Sequence, residues 1–286
     1  LPERFWGNHF CCDPQQSLVH RSLLERGGAG WKESRAPEEQ SSEFLASTDG
    51  WFRPINLLTG PDGAIYVVDM YREIIEDYSA IPRFLQQQYG LTKGIDRGRI
   101  WRVQTKSKPR EMGTEWRFSF HKEHLRHPAI DWWRESAQRL LIEEGDQFIG
   151  ALLREEFASP LSAVRLLYAM ESLGALQPGD VLIALNRAEA GIRVHGLRLG
   201  DRWIDSDEEL RKKTLSMVDD PDPSVRLQLA MSLGESRRPE AVGALANLAI
   251  RYGDERWMDA AILSSVSERS SELLDELLRT QDSNAK

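Results

Sequence analysis

Two periodicities divide the chain. Up to about Gln104 the apolar residues come in short runs broken by Gly, Pro and Asp, as in "GPDGAIYVVDMYRE" from Gly60 to Glu73. Pro61, Asp62 and Gly63 supply turn chemistry: a fixed φ, a side chain that bonds its own backbone and tolerance of positive φ. The β-branched and aromatic run Ile65 to Val68 then fits a buried strand, and Asp69, Tyr71 and Arg72 follow at its exit, where a loop presents them. The spacing predicts an inner strand at "FRPINLLTG", a second at "AIYVVDMY", and an outer one at "GRIWRV" after the insertion Glu73 to Gly98. Within that insertion, "IPRFLQQQYG" has the proline start and glycine end of a short helix. "HFCCDPQ" repeats the order of "IYVVDMY": aromatic, two small apolar residues, Asp, polar or aromatic exit. The aspartates Asp13 and Asp69 lie 56 positions apart, close to the roughly 40 to 50 residues of a four-stranded propeller blade with an insertion. The first copy offers strands at "NHFCCD", "SLVHRSLLER" and "EFLAST".

From about His121 the period changes to that of helices of 10 to 15 residues. "WWRESAQRLL", "AVRLLYAMESL", "GIRVHGLRL" and "SVRLQLAMSL" each place an arginine before an apolar stripe at i, i+3, i+4. These arginines are Arg134, Arg165, Arg193 and Arg226, at intervals of 31, 28 and 33. Turns such as "DPDPS" put Pro and a capping Asp just ahead of the helices. "DDPDPSVRLQLAMSLGE" is similar to the HEAT-type repeat, whose Asp and Arg residues form ladders between helices. The predicted architecture is mixed: about two β-propeller blades with a helical insertion over residues 1–106, a linker at 107–120, and an α-solenoid of HEAT-like repeats over 121–286.

Composition adds exclusions. The 286 residues are 41% hydrophobic and 8% aromatic, ample for packed cores, and a net charge of -8 supplies no basic field for nucleic acid or anionic lipid. No apolar run reaches the roughly 20 residues of a membrane span. Cys11 and Cys12 are adjacent, so in a strand they face opposite ways and do not bridge. The absence of any CxxCH excludes a covalently attached c-type haem within these residues. The chain begins "LPERFWG", as a piece cut from something longer would.

"STDGWFRPINLLTGPDGAIYVVDMYREIIED" followed by "IPRFLQQQYGLTKGIDRGRIWRV" resembles the end of the propeller in the planctomycete membrane-bound dehydrogenase-like proteins, also described as PVC-type haem-binding proteins. "HFCCDPQQSLVHRSLLER" resembles their preceding blade. The likeness covers residues 1 to 105 by motif and the rest by the order of domains. It implies a propeller similar to quinoprotein glucose dehydrogenases, then HEAT-like repeats and often a c-type cytochrome domain. For function it implies sugar or alcohol oxidation with pyrroloquinoline quinone and calcium in the propeller, haem c in a domain outside these residues, and a periplasmic or cell-envelope location.

In a propeller, the loops entering inner strands and leaving second strands open on one face, where ligands bind. Arg53, Asp69, Tyr71 and Arg72 are therefore expected to share one rim as cofactor-binding candidates, with Asp13 and Gln15 at the matching place on the preceding blade. The alternative is that Asp69 and an arginine form a salt bridge between blades. His20 is the catalytic candidate, a general base toward a substrate hydroxyl as the resemblance invites, against a hydrogen-bonded histidine on a middle strand. Arg97 and Arg99 read as structural, Trp132 and Trp133 as packing, and the four repeat arginines as ladder residues. Three functions compete: a quinoprotein-like dehydrogenase end, a solenoid that docks a protein partner or a cytochrome, and a non-catalytic carbohydrate-binding propeller.

Overall fold

Turn chemistry sets the sheets. Asp62 closes the Pro61–Gly63 turn by accepting the Ala64 N–H at 3.1 Å, and Gly63 adopts φ +71, so strands 54–59 and 65–69 are forced to pair. In the computed structural model, residues 2–75, 78–105, 130–145, 154 and 160–284 are described. The predicted linker at 107–120 and the start of the helical region at 121 lie outside them. The chain divides into two units, residues 1–25 with 32–137 and residues 26–31 with 138–286.

The first unit is built on two antiparallel sheets. One contains β1 (His9–Asp13), β2 (Leu18–Gly27) and β3 (Gly30–Arg35) in that order, and β4 (Leu45–Ala46) also pairs with β2. The other is β5 (Pro54–Thr59), β6 (Ile65–Asp69) and β7 (Arg99–Val103), with helix α1 (Arg83–Tyr89) in the insertion before β7. These are the predicted strands of the second copy. The first copy differs. β3 was not expected, because "GWKESR" is polar and almost wholly exposed and so lacks the alternation that marks a half-buried strand. The expected outer strand "EFLAST" shrinks to the two residues of β4.

Both sheets contribute to one core. Val19, Phe52, Ile65 and Val67 are buried together, with Phe10, Cys12, Phe44, Leu45, Leu57 and Val103 packed against them. Cys12 faces this core while Cys11 is exposed, and both are free thiols. Below the same inward face, Arg21 is 1% exposed and reaches Glu39, Glu38 and Asn8.

The second unit is helical. Described helices include α2 (Asp131–Glu144), whose first part belongs to the first unit, then α3 (Pro160–Ser172), α4 (Pro178–Leu185), α5 (Ala190–Gly200), α6 (Glu208–Leu215), α7 (Pro223–Gly234), α8 (Pro239–Tyr252), α9 (Met258–Ser265) and α10 (Ser270–Asn284). α3, α5, α7 and α9 pack in succession as one layer, and α8 packs on α10 in the other. Asp207 and Asp222 cap α6 and α7 by accepting N–H groups of the first turn, the second as the Asp-Pro signal in "DPDPS" predicts. Arg193 in α5 pairs with Asp220 at 2.7 Å, and Arg226 in α7 pairs with Glu255, so each arginine reaches the segment leading into the next helix of its own layer, α7 and α9 respectively. Arg134 instead pairs with Asp131 of its own first turn. No described helix is long and apolar enough to cross a membrane.

Candidate functional site

The exit of β6 is organised around one carboxylate. Asp69 ends the strand on its inward side and is 1% exposed. Its Oδ1 accepts the backbone N–H of Arg53 at 2.8 Å and of Tyr71 at 2.9 Å. Its Oδ2 accepts the Arg99 Nε–H at 2.8 Å and the Trp101 indole N–H at 2.9 Å. Burial alone would raise its pKa; Arg99, the two main-chain amides and Trp101 outweigh that and hold it below the usual carboxylate range. The partner arginine therefore comes from β7 of the same sheet.

Arg99 extends the cluster. Its guanidinium lies 3.5 Å from the centre of the Tyr71 ring and 4.6 Å from that of Trp101, and it reaches Asp49 at 3.3 Å. Tyr71 meets Trp51 edge to face at 5.6 Å, and the Trp51 indole donates to Glu73 at 2.7 Å. The Trp51 amide, with further contributions from Tyr71 and Arg99, lowers the pKa of Asp49.

Arg53 enters β5 and spends its donors on main-chain carbonyls: Arg72 at 3.3 Å, Glu73 at 2.7 Å, Pro14 at 2.8 Å and Gln15 at 3.3 Å. It ties the turn after β1 to the exit of β6. Asp13 shapes that turn, its Oδ1 accepting the amides of Gln15 at 3.1 Å and Gln16 at 2.9 Å. The structure thus gathers Arg53, Asp69, Tyr71, Arg72 and the Asp13 turn at one end of the two sheets.

His20 stands elsewhere, in the body of β2 opposite Cys11. Its Nδ1 is 2.7 Å from Glu43, which also pairs with Arg35 at 2.8 Å. The histidine first and then Arg35 draw the Glu43 pKa down, against its burial. Glu43 was not among the sequence candidates. Nor was Arg21, although a cationic residue two positions from Val19 on an inward strand face was a readable signal.

A calcium-bound quinone does not fit these residues. Both Asp69 oxygens already hold two donors each, Asp13 Oδ1 holds two amides, and the Arg53 N–H groups are committed to carbonyls. Asp69 has little acceptor capacity left for a cation, Asp13 offers only its Oδ2, and no group of three metal-binding side chains occurs among the described residues.

Comparison with known proteins adds one match. No curated protein and no solved structure matches the chain. The model of a domain of unknown function (DUF7133) matches residues 1–107, the part that contains both sheets.

Proposed function

We propose that residues 1–106 are the last two blades of a β-propeller, that the helical region is a HEAT-like docking scaffold, and that together they form the end of a dehydrogenase-like protein of the cell envelope. In this reading the piece is structural, and oxidation and haem chemistry belong to other domains. The observation that carries it is the sense in which the sheets stack. The repeat aligns Phe10 and Cys12 with Tyr66 and Val68, yet Phe10 and Cys12 pack into the shared core through Ile65 and Val67, on the other face of β6. The sheets therefore stack head to tail, as successive blades do. The equivalent face of the second sheet, carrying Leu58 at 57% and Ile100 at 67% exposure, stays open for a further sheet.

The commitment of Asp69 and Arg53 to partners within the protein argues against catalysis here, and helical repeats offer extended surfaces for a protein partner such as a cytochrome. A second reading, a sugar- or alcohol-acting site, is favoured by one feature: Glu43 orients His20 as a carboxylate orients a general base. The test is turnover by the purified chain with pyrroloquinoline quinone, calcium and an artificial electron acceptor over a panel of sugars and alcohols. The scaffold reading expects none; turnover abolished by His20→Gln establishes the second reading instead. Saturable sugar binding without turnover would favour a carbohydrate-binding propeller.

A further inference from the structure

One rim candidate has no structural employment. Arg72 makes no side-chain hydrogen bond or ion pair among the described residues, and its Nε is buried without a partner. Beside it, Arg53 faces only carbonyl oxygens, one of them that of Arg72. By contrast Arg21, Arg35, Arg99 and Arg102 each face a carboxylate. Neither Arg53 nor Arg72 is paired with a carboxylate among the described residues, and a buried N–H donor left unbonded is unfavourable unless something else takes it.

The backbone beneath them is strained and held. Tyr71 adopts φ +48, a left-handed conformation uncommon for an aromatic residue. Asp69 fixes it by accepting the Tyr71 N–H, and the insertion returns against it at Gly94. A Cβ at Gly94, whose own φ is +83, would lie 2.8 Å from the Tyr71 carbonyl oxygen and 2.9 Å from the Arg72 Cα. The turn sends the Tyr71 ring onto Arg99 and leaves the next residue, Arg72, unengaged. Strain that the surroundings enforce, beside an arginine without an ion pair among the described residues, is a mark of a binding position.

We propose that Arg72, backed by the charge of Arg53, receives a small oxyanion: the carboxylate or phosphate group of a ligand. A guanidinium offers such a group two parallel donors, Nε–H and Nη–H. Because Nε is screened in the free protein, binding rotates the Arg72 side chain and engages a donor that was unbonded. The site does not depend on the propeller or dehydrogenase readings, since it uses only the loop geometry.

The experiment follows the Arg72 Nε–H resonance of the whole 286-residue chain by NMR while malonate or inorganic phosphate is added, with sodium chloride at matched ionic strength as reference. The expected result is a saturable shift in the millimolar range or below with at least one oxyanion; which one binds more tightly identifies the carboxylate or phosphate class. Affinity measured by calorimetry should fall at least tenfold in Arg72→Gln, fall less in Arg72→Lys, and stay unchanged in Arg97→Gln, an exposed arginine of the same insertion. Resonances that move no more than in chloride overturn the proposal, as does undiminished binding by Arg72→Gln. If Arg72→Gln fails to fold, the wild-type titration and the Lys variant decide.

Discussion

Asp69 in the sheet unit and the half-buried Asp201 in the helical unit are two carboxylates shielded from water with opposite outcomes. Asp69 collects four donors from Arg53, Tyr71, Arg99 and Trp101, and its pKa is lowered although burial works against it. Asp201, just after α5, has one oxygen buried without a partner; burial pushes its pKa up to about 6, helped by Glu235 and only partly opposed by Ser232 and Arg198. Burial sets the cost of the charge in both places, and the number of donors sets the sign of the outcome. Asp69 thereby fixes the geometry of the β6 exit, whereas Asp201 sits in a unit whose apolar layers include Leu166, Leu197 and Leu229.

The largest expected effect breaks the first half of that contrast. Asp69→Ala leaves two amides, an indole and the Arg99 guanidinium without their acceptor, and should cost about 3–5 kcal/mol. Denaturant titration followed by tryptophan fluorescence reads it; a loss below about 1 kcal/mol would mean that water replaces the carboxylate. Next, Arg193→Met strands Asp220, which is itself nearly buried, at an expected cost of about 3 kcal/mol, with much of the loss recovered in Arg193→Met combined with Asp220→Leu. Urea melts followed by helical circular dichroism check both variants.

Asp201→Asn should act in the other direction. A carboxylate whose folded pKa is raised favours the folded state below its unfolded value near 3.8, and that contribution is lost as pH rises through about 6. The Asn variant should therefore be more stable than the wild type by about 1–2 kcal/mol at pH 7.5 and show little gain below pH 4. His195, whose pKa burial and Arg198 lower, runs oppositely: its contribution is present above the unfolded value near 6.5 and lost as pH falls through the folded one. The comparison of Asn variant with wild type at each pH separates the two, and an equal gain at pH 4 and 7.5 would refute the titration account. The smallest effect is the control. Arg279 pairs with Glu276 on the surface of α10, and Arg279→Gln should change stability by no more than about 0.5 kcal/mol.

What the sequence disclosed depended on the range of the interaction. The β5 and β6 strands, their turn and α1 were legible because the signals are local: Pro-Asp-Gly, a β-branched run, a proline start and a glycine stop. β3 was not, since an exposed polar edge strand carries no alternation. Asp69 was singled out by its place at a strand end, but its role depends on Arg99 and Trp101, which come back only after the insertion. Likewise His20 was visible while Glu43, 23 residues on, was not. Arg193 and Arg226 were legible as a series because repetition supplied a second local copy of the signal.

The Asp69 cluster also bears on the order in which the sheet assembles. The β5–β6 hairpin closes over a few residues and needs no other element, so its pairing is fast and locally determined. β7 arrives only after the insertion has been traversed, a longer loop whose closure entropy must be met before the Arg99 and Trp101 bonds can form. The carboxylate thus acts as a late fastener, already bonded to the Arg53 and Tyr71 amides and waiting for its remaining donors. In native-state hydrogen exchange, those two amide protons would persist through openings that release β7 alone, and would exchange only when the hairpin itself comes apart.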